Sequence, residues 1–310
     1  MTTRQQTVAI LMATLDGAQF LSEQLTSIAE QDHTRWRLWV SDDGSRDKTI
    51  HILKAFARNY PPGKVTLLDG PQRGAVANFR SLLRRVDLKG MAVAFCDQDD
   101  RWLPGHLSRG LTFLVNAGNP LAVAGSRMVV CDSTMTPVGL SPLPTRALGF
   151  RNALLQNVLS GNTMMVNAAA ARLLQEAEAE AGPFPVHDWW AYQLITGAGG
   201  TALFDAEPQV MYRQHPANSI GANRGLRALP ARVRRHFRGD YALWAQQNAT
   251  ALAASSHRLT NENRRILELF HSALGAPLRI RIRALRAAGL YHQSARARAA
   301  FWLSAILGTF

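Results

Sequence analysis

Cysteine is nearly absent from this chain: Cys96 and Cys131 are the only two in 310 residues. That excludes a disulfide framework and, by number and spacing, a cysteine-held metal centre, so a reducing compartment is expected. Long hydrophobic runs are missing too, and no stretch approaches the ~18 to 20 apolar residues that span a bilayer. The opening segment MTTRQQTVAILMATLDG has an arginine and a short apolar run that reads as a first strand; a secretory leader needs a longer hydrophobic region and a small-residue cleavage site. A cytoplasmic location is therefore expected. Neither GxGxxG nor GxxxxGK(S/T) occurs, which weighs against dinucleotide redox chemistry and P-loop phosphate binding. Acidic residues are scarce from Arg224 onward, where fifteen arginines, Arg224 included, face only Asp240, Glu262 and Glu268; nearly all of the formal net charge of +13 sits there.

What is present fits a folded protein, with 47% hydrophobic and 18% charged residues and a length that suits one large domain or a domain with an extension. The spacing predicts a strand over 7–14, a helix over 18–31, a strand from Trp36 through Val40, a helix over 47–59, a strand over 65–68, a helix over 74–86 and a buried strand over 93–96. Beyond these come a helix over 103–115, a strand from 121, an irregular loop over 132–150, a strand over 162–166 and helices over 167–181 and 187–197. Two short strands are expected around Pro208, then helices near 227–238, 240–270 and 278–308. Alternating strands and helices imply an α/β fold with a central, mostly parallel sheet flanked by helices, followed by a basic helical extension. The expected division is 1–222 and 223–310.

Carboxylates follow three of the predicted strands: Asp16, Asp42/Asp43, and Asp97/Asp99/Asp100 in AFCDQDDRW. Ligands of open α/β sheets gather beyond the carboxyl ends of strands, so these acidic turns are candidates for one edge. Bunched carboxylates suit a hard divalent cation that also takes substrate phosphates; Asp99 and Asp100 equally suit the cap of a helix starting at 103. The turn SDDGS can accept hydrogen bonds from a nucleoside or simply close a βα turn. In FPVHDWW, Asp188 suits a general base or a helix N-cap, and Trp189 and Trp190 suit a sugar platform or a core. In YRQH, Arg213 could neutralise phosphate and His215 ligate a metal, or the lone histidine could be merely a surface or packed residue.

In this order, MATLDGAQFLSEQLTSIAEQD, WRLWVSDDGSRDKT, GAVANF, FCDQDDRW, SGNTMMV, HDWW and YRQHPANSIG resemble the family 2 inverting glycosyltransferases of GT-A fold, in particular the rhamnosyltransferase-like branch of bacterial surface-polysaccharide synthesis. The resemblance covers about residues 5–221. It implies a nucleotide-sugar donor (dTDP-rhamnose or a UDP-sugar), Mg²⁺ or Mn²⁺, a glycan or lipid-linked acceptor, and single displacement with inversion. By analogy Thr14 and Asp16 lie near the base, Asp43 contacts the nucleoside, and Asp97 sits near the ribose or sugar. Asp99 is then the metal ligand, with Asp100 serving the metal or the turn, Asp188 the catalytic base, and His215 the histidine nearing metal or diphosphate. Relatives place an acid before the base, where this chain has His187.

The basic tail beyond 223 suits an anionic membrane surface, which would put the enzyme on the inner face of the plasma membrane. A helical cap or a homo-oligomer contact is the alternative. Within it LRIRIRALR fits strand alternation and helical periodicity alike. A sugar nucleotidyltransferase would share the nucleotide and metal site but not need Asp188. Nucleic-acid binding would use the tail, yet the sequence has no zinc-finger spacing or RNP-like aromatic pattern, and the acidic turns repel phosphates.

Overall fold

A computed structural model describes residues 5–216 and 240–309; the expected helix at 227–238 lies outside the described residues. The chain divides into two units. The first comprises Met1–Leu143, Leu159–Ala179 and Gly200–Asn218, the second Pro144–Val158, Glu180–Gly199 and Ser219–Phe310.

The first unit is built on a nine-stranded mixed sheet. Strands β1 (Val8–Thr14), β2 (Trp36–Asp42), β3 (Val65–Asp69) and β4 (Ala92–Cys96) run parallel in the order β3-β2-β1-β4. Residues Val8–Met12 and Ala92–Cys96 are buried. Both faces of these strands are covered, which is why they read as unbroken apolar runs. On one face lie α1 (Leu21–Ala29), α2 (Thr49–Ala57) and α4 (His106–Asn116). Their Leu21, Leu25, Ile28, Leu53, Leu107 and Leu111 join Ile10, Met12, Leu38 and Ala94 in one core. Opposite lie α3 (Ala75–Arg85) and α6 (Ala168–Glu178); the Phe79 ring meets Phe95 edge-on at 5.9 Å. Arg80 Nε pairs with the buried Glu178 at 2.6 Å, and Gln175 Nε2 donates to the carbonyls of Leu83 and Val86. The two helices are thereby fastened to each other.

Past β4 the sheet becomes mixed, through β8 (Met165–Val166), β6 (Ala122–Cys131), β9 (Thr201–Arg213) and β5 (Arg101–Trp102), with β7 (Pro137–Leu140) paired to β6. Three sequence expectations change here. The helix expected from 103 starts at His106, because Arg101–Trp102 pair with Val210–Met211 as β5. Its N-cap is Gly105, so neither Asp99 nor Asp100 caps it. The two strands expected around Pro208 are one strand; the register shifts where Pro208 faces Arg127, a bulge that absorbs the missing proline donor. The 132–150 loop contains β7.

The second unit holds α5 (Phe150–Ala153), α7 (His187–Gly197), α8 (Asp240–Ala254), α9 (Asn261–Ala273), α10 (Leu278–Ala288) and α11 (Ala295–Leu307). Trp190 stacks on Phe184 with centroids 4.6 Å apart, and Trp189 Nε1 donates to the Ala153 carbonyl at 2.6 Å. Both indoles are buried, so they are core and not a sugar platform. The helix expected over 240–270 breaks where Thr260 caps α9, its hydroxyl accepting from Asn263 N–H. The one expected over 278–308 breaks at Gly289, which ends α10 with φ 63°. LRIRIRALR resolves as helix.

Candidate active site

The strand register brings the carboxyl ends of β1, β2 and β3 level: Thr14 pairs with Asp42 and Asp42 with Asp69, while Met12 sits beside Cys96 of β4. Strand order reverses between β1 and β4, the position at which open α/β sheets bind ligands. Every acidic turn of the first unit named above opens on this edge.

The loops after β1, β2 and β3 are cross-linked through those acids. Asp42 accepts from the Thr14 hydroxyl (2.8 Å), the Ser45 hydroxyl (2.6 Å) and Ser45 N–H (2.8 Å). Asp16 has φ 45°, a left-handed conformation that aspartate tolerates better than most residues; its carboxylate accepts from Arg46 N–H at 2.7 Å and its own N–H donates to Ser45 Oγ. Asp43 is buried, and its two oxygens accept from Gln72 N–H (2.6 Å) and Gly74 N–H (2.7 Å). A Cβ on Gly70 would lie 2.8 Å from the Asp42 carbonyl and 2.9 Å from Asp43 Cα, so only glycine lets this chain cross so close behind the aspartates. Thr14, Asp16 and Asp43 thus form one rim, with Asp16 exposed on it.

The turn after β4 closes the rim. Gln98 grips the first loop with both ends of its amide, accepting from Leu15 N–H and donating to Leu15 C=O, each at 2.9 Å. Asp97 and Asp99 are half-buried. Asp100 is buried, accepting from Asn162 Nδ2 at 2.6 Å and from Arg213 N–H at 3.0 Å. Asp100 is thus a tie between β4, the Asn162 turn and the end of β9. Arg213 is also buried: it donates to the carbonyls of Asp99 (2.9 Å) and Ser133 (2.8 Å), pairs with Glu23 (2.7 Å), and lies over the Phe20 ring. Its contacts make it an organiser of the acidic turn. His215 Nε2 lies 2.8 Å from Asp99 Oδ2, its ring against Phe20. Gln98, Asn162 and Glu23 escape sequence reasoning, because an amide or acid that grips a distant loop has no local periodicity; a polar Asn162 inside the apolar-leaning SGNTMMV is the one visible hint.

Burial, followed by the neighbouring Asp99 and Asp97 charges, pushes the Asp100 carboxyl well above the usual carboxylate range. A carboxyl raised on folding adds stability below its unfolded value, near pH 4, and loses it as pH climbs through the folded value. Asp100→Asn removes that titration. In chelator-containing buffer, the unfolding free energy of the native protein, relative to the variant, is expected to fall as the pH rises above about 4. Denaturant titrations at each pH measure it; parallel pH curves would refute the assignment. Any constant cost of the amide leaves the slope unaffected.

Among the described residues, no group of three His, Cys, Asp or Glu side chains is arranged to hold a metal. The donor set nevertheless fits a divalent cation that keeps water and shares substrate phosphates. Such ions need only one or two protein carboxylates, and Asp99 with His215 offers a half-buried oxygen and nitrogen side by side. A diphosphate at this edge would otherwise meet an excess of negative charge.

Asp188 belongs to the second unit. It lies in the first turn of α7, whose N-cap is Val186, not Asp188. The carboxylate is buried and accepts from Trp189 N–H at 2.6 Å. Desolvation lowers the pKa of the adjacent, half-buried His187, so the imidazole is neutral near pH 7.

The family model described as "Glycosyl transferase family 2" matches residues 9–175, more than half of the chain. The chain belongs to this family. It is accordingly a glycosyltransferase, and its mixed sheet with flanking helices is a GT-A-type fold. It is 27% identical over 226 residues to "dTDP-rhamnosyl transferase RfbG" of Shigella flexneri, spanning 70% of this chain and 76% of that one. Over 167 residues it is 25% identical to "Putative teichuronic acid biosynthesis glycosyltransferase TuaG" of Bacillus subtilis, covering 54% and 64%. Among solved structures, this glycosyltransferase shares its fold with S. aureus TarS 1-349 in complex with UDP (TM-score 0.51, 15% identity, 91% and 90% covered). It shares it also with the mannosyltransferase PcManGT of Pyrobaculum calidifontis in complex with GDP-Man and Mn²⁺ (TM-score 0.52, 18% identity, 97% and 85% covered).

Proposed function

We propose that this glycosyltransferase moves a sugar, L-rhamnose from dTDP-L-rhamnose in the first instance, to a hydroxyl of a glycan or lipid-linked saccharide with inversion at the anomeric carbon. The observation that carries the reading is the cross-linked rim at the carboxyl edge of β1–β4, ending in the Asp99–His215 pair. The rhamnosyl donor is supported by the name of the Shigella relative; UDP-sugars are the second choice, supported by the UDP in TarS.

In this reading Thr14, Asp16 and Asp43 frame the nucleoside, and Asp97 faces the ribose or sugar. Arg213, held by Glu23 and the Asp99 carbonyl, fixes the turn. Asp99 and His215 would hold Mg²⁺ or Mn²⁺, which when bound offsets charge on the diphosphate. Asp188 takes the proton of the acceptor hydroxyl as its oxygen bonds to the anomeric carbon. The bond from that carbon to the diphosphate breaks with its electron pair leaving on the phosphate oxygen, so attack from the opposite face inverts the centre. We place the reaction in the cytoplasm, at the inner face of the plasma membrane.

A panel of dTDP-rhamnose, UDP-glucose, UDP-N-acetylglucosamine and GDP-mannose, each with and without Mn²⁺, tests this by thermal unfolding. A ligand at 100 times its Kd stabilises the native state by about 2.7 kcal/mol. The expected result is metal-dependent protection by dTDP-rhamnose above the others. Protection by none of the four would overturn the reading.

A further inference from the structure

The two last helices carry a surface that includes none of the residues named in the candidate site. On α10, Ala284, Leu285 and Ala288 are buried, and Arg281 turns inward, donating to the carbonyls of Ala276 and, at 2.8 Å, Ala305 of α11. The opposite arc holds Arg279, Arg283 and Arg286, all exposed and spaced at helical repeat. Leu278 and Ile280 flank them, 47% and 56% exposed, and a groove of about 450 Å³ runs between Leu278, Ile282 and the three arginines. On α11, Phe301, Ser304 and Ala305 face inward, leaving Leu303, Ile306 and Leu307 54%, 54% and 58% exposed. Arg296 and Arg298 are exposed at its start. From 278 to 307 the sequence has no acidic residue. Among the described residues, none of these five exposed arginines makes a salt bridge.

The geometry points to a docking surface for an anionic lipid bilayer on α10 and α11, with the arginines at the head groups and the aliphatic side chains below them. Charge and apolar exposure must be satisfied together, and that selects the occupant. A nucleic acid would answer the arginines but leave five large aliphatic side chains in water. A second copy would cover the aliphatics but set like-charged helices against each other. A bilayer with anionic head groups supplies both, since interfacial helices bury an apolar face while cations meet the lipid phosphates. Arginine stems extend along such apolar surface with the charged head in the interface. The inference does not depend on the identity of the donor sugar.

The test is flotation of the full chain with vesicles of phosphatidylcholine alone and of phosphatidylcholine with about one-third phosphatidylglycerol. Binding is expected only to the anionic vesicles and is expected to weaken with salt, because exposed charges are screened over about 10 Å at 0.1 M. Each cation near an anionic surface is worth roughly fivefold in partitioning, so Arg279→Ala/Arg283→Ala/Arg286→Ala lowers it about 100-fold. The corresponding triple lysine variant retains most of it. Leu303→Ser/Ile306→Ser also reduces binding, and all variants keep the donor-dependent thermal protection of the native chain, which shows them folded and separates this test from that of the donor. Equal binding to both vesicles, binding to neither, or unchanged binding by the alanine or serine variants would overturn the proposal. So would a vesicle-free dimer, seen by sedimentation, that Leu303→Ser/Ile306→Ser dissolves.

Discussion

Asp188→Asn is expected to lower sugar transfer by about 10²- to 10⁴-fold while leaving donor affinity within a few-fold of native, because general-base assistance of this kind is worth that much. In barrier terms the loss is about 3 to 5 kcal/mol. The substitution is suited to the question. The carboxylate accepts the Trp189 N–H in the first turn of α7, and an asparagine oxygen of the same size can keep that bond. What disappears is the capacity to take a proton. The half-buried neighbour His187 does not replace it: desolvation lowers its pKa, so it binds a proton weakly near neutrality. Donor affinity is read from thermal protection by the nucleotide sugar and turnover from product formation with a saturating acceptor. Near-native turnover would remove Asp188 from the chemistry. Loss of donor protection with turnover would instead mark it as a binding or folding residue.

The physical reason some of this was visible in the sequence lies in the range of each signal. Strands β1 and β4 are buried on both faces, so TVAILMAT and VAFC stand out as apolar runs with no help from their neighbours. The acidic turns stand out because each follows a strand directly. The roles inside those turns are not visible, since they depend on partners far along the chain. Asp100 is tied to Asn162 and Arg213, 62 and 113 residues away, and nothing near Asp100 announces that it is a buried tie while Asp99 stays half-exposed. Arg213 reads as a phosphate ligand in YRQH, and nothing local shows that in the fold its guanidinium also meets Glu23 and two carbonyls. The two-residue β5 is too short for any alternation and displaces the start of α4. The long C-terminal helices break at Thr260 and Gly289, where a capping residue and a left-handed glycine were legible but outweighed by the continuous apolar period on either side.

Asp99→Asn tests the other half of the site. The expected result is a loss of about 10²- to 10³-fold in turnover, the scale on which removal of one electrostatic stabiliser of a developing anion is felt, together with loss of Mn²⁺ stimulation. The local structure should survive. Arg213 Nε binds the main-chain carbonyl of Asp99, not its carboxylate, and Asp100 keeps its bonds to Asn162 and Arg213. An asparagine oxygen can still meet His215 Nε2, now 2.8 Å from Asp99 Oδ2. The variant therefore removes one charge from the rim while retaining its shape, and the two consequences separate by a readout other than activity. Titrating Mn²⁺ by its electron paramagnetic resonance in the presence of UDP should show weakened binding to Asp99→Asn. Asp97→Asn, two residues away, should retain Mn²⁺ binding and alter donor affinity instead. If Asp97→Asn abolishes Mn²⁺ binding and Asp99→Asn does not, the two aspartates exchange roles. If neither does, the acidic turn is no metal site, and the pairing of Asp99 with His215 serves the turn alone.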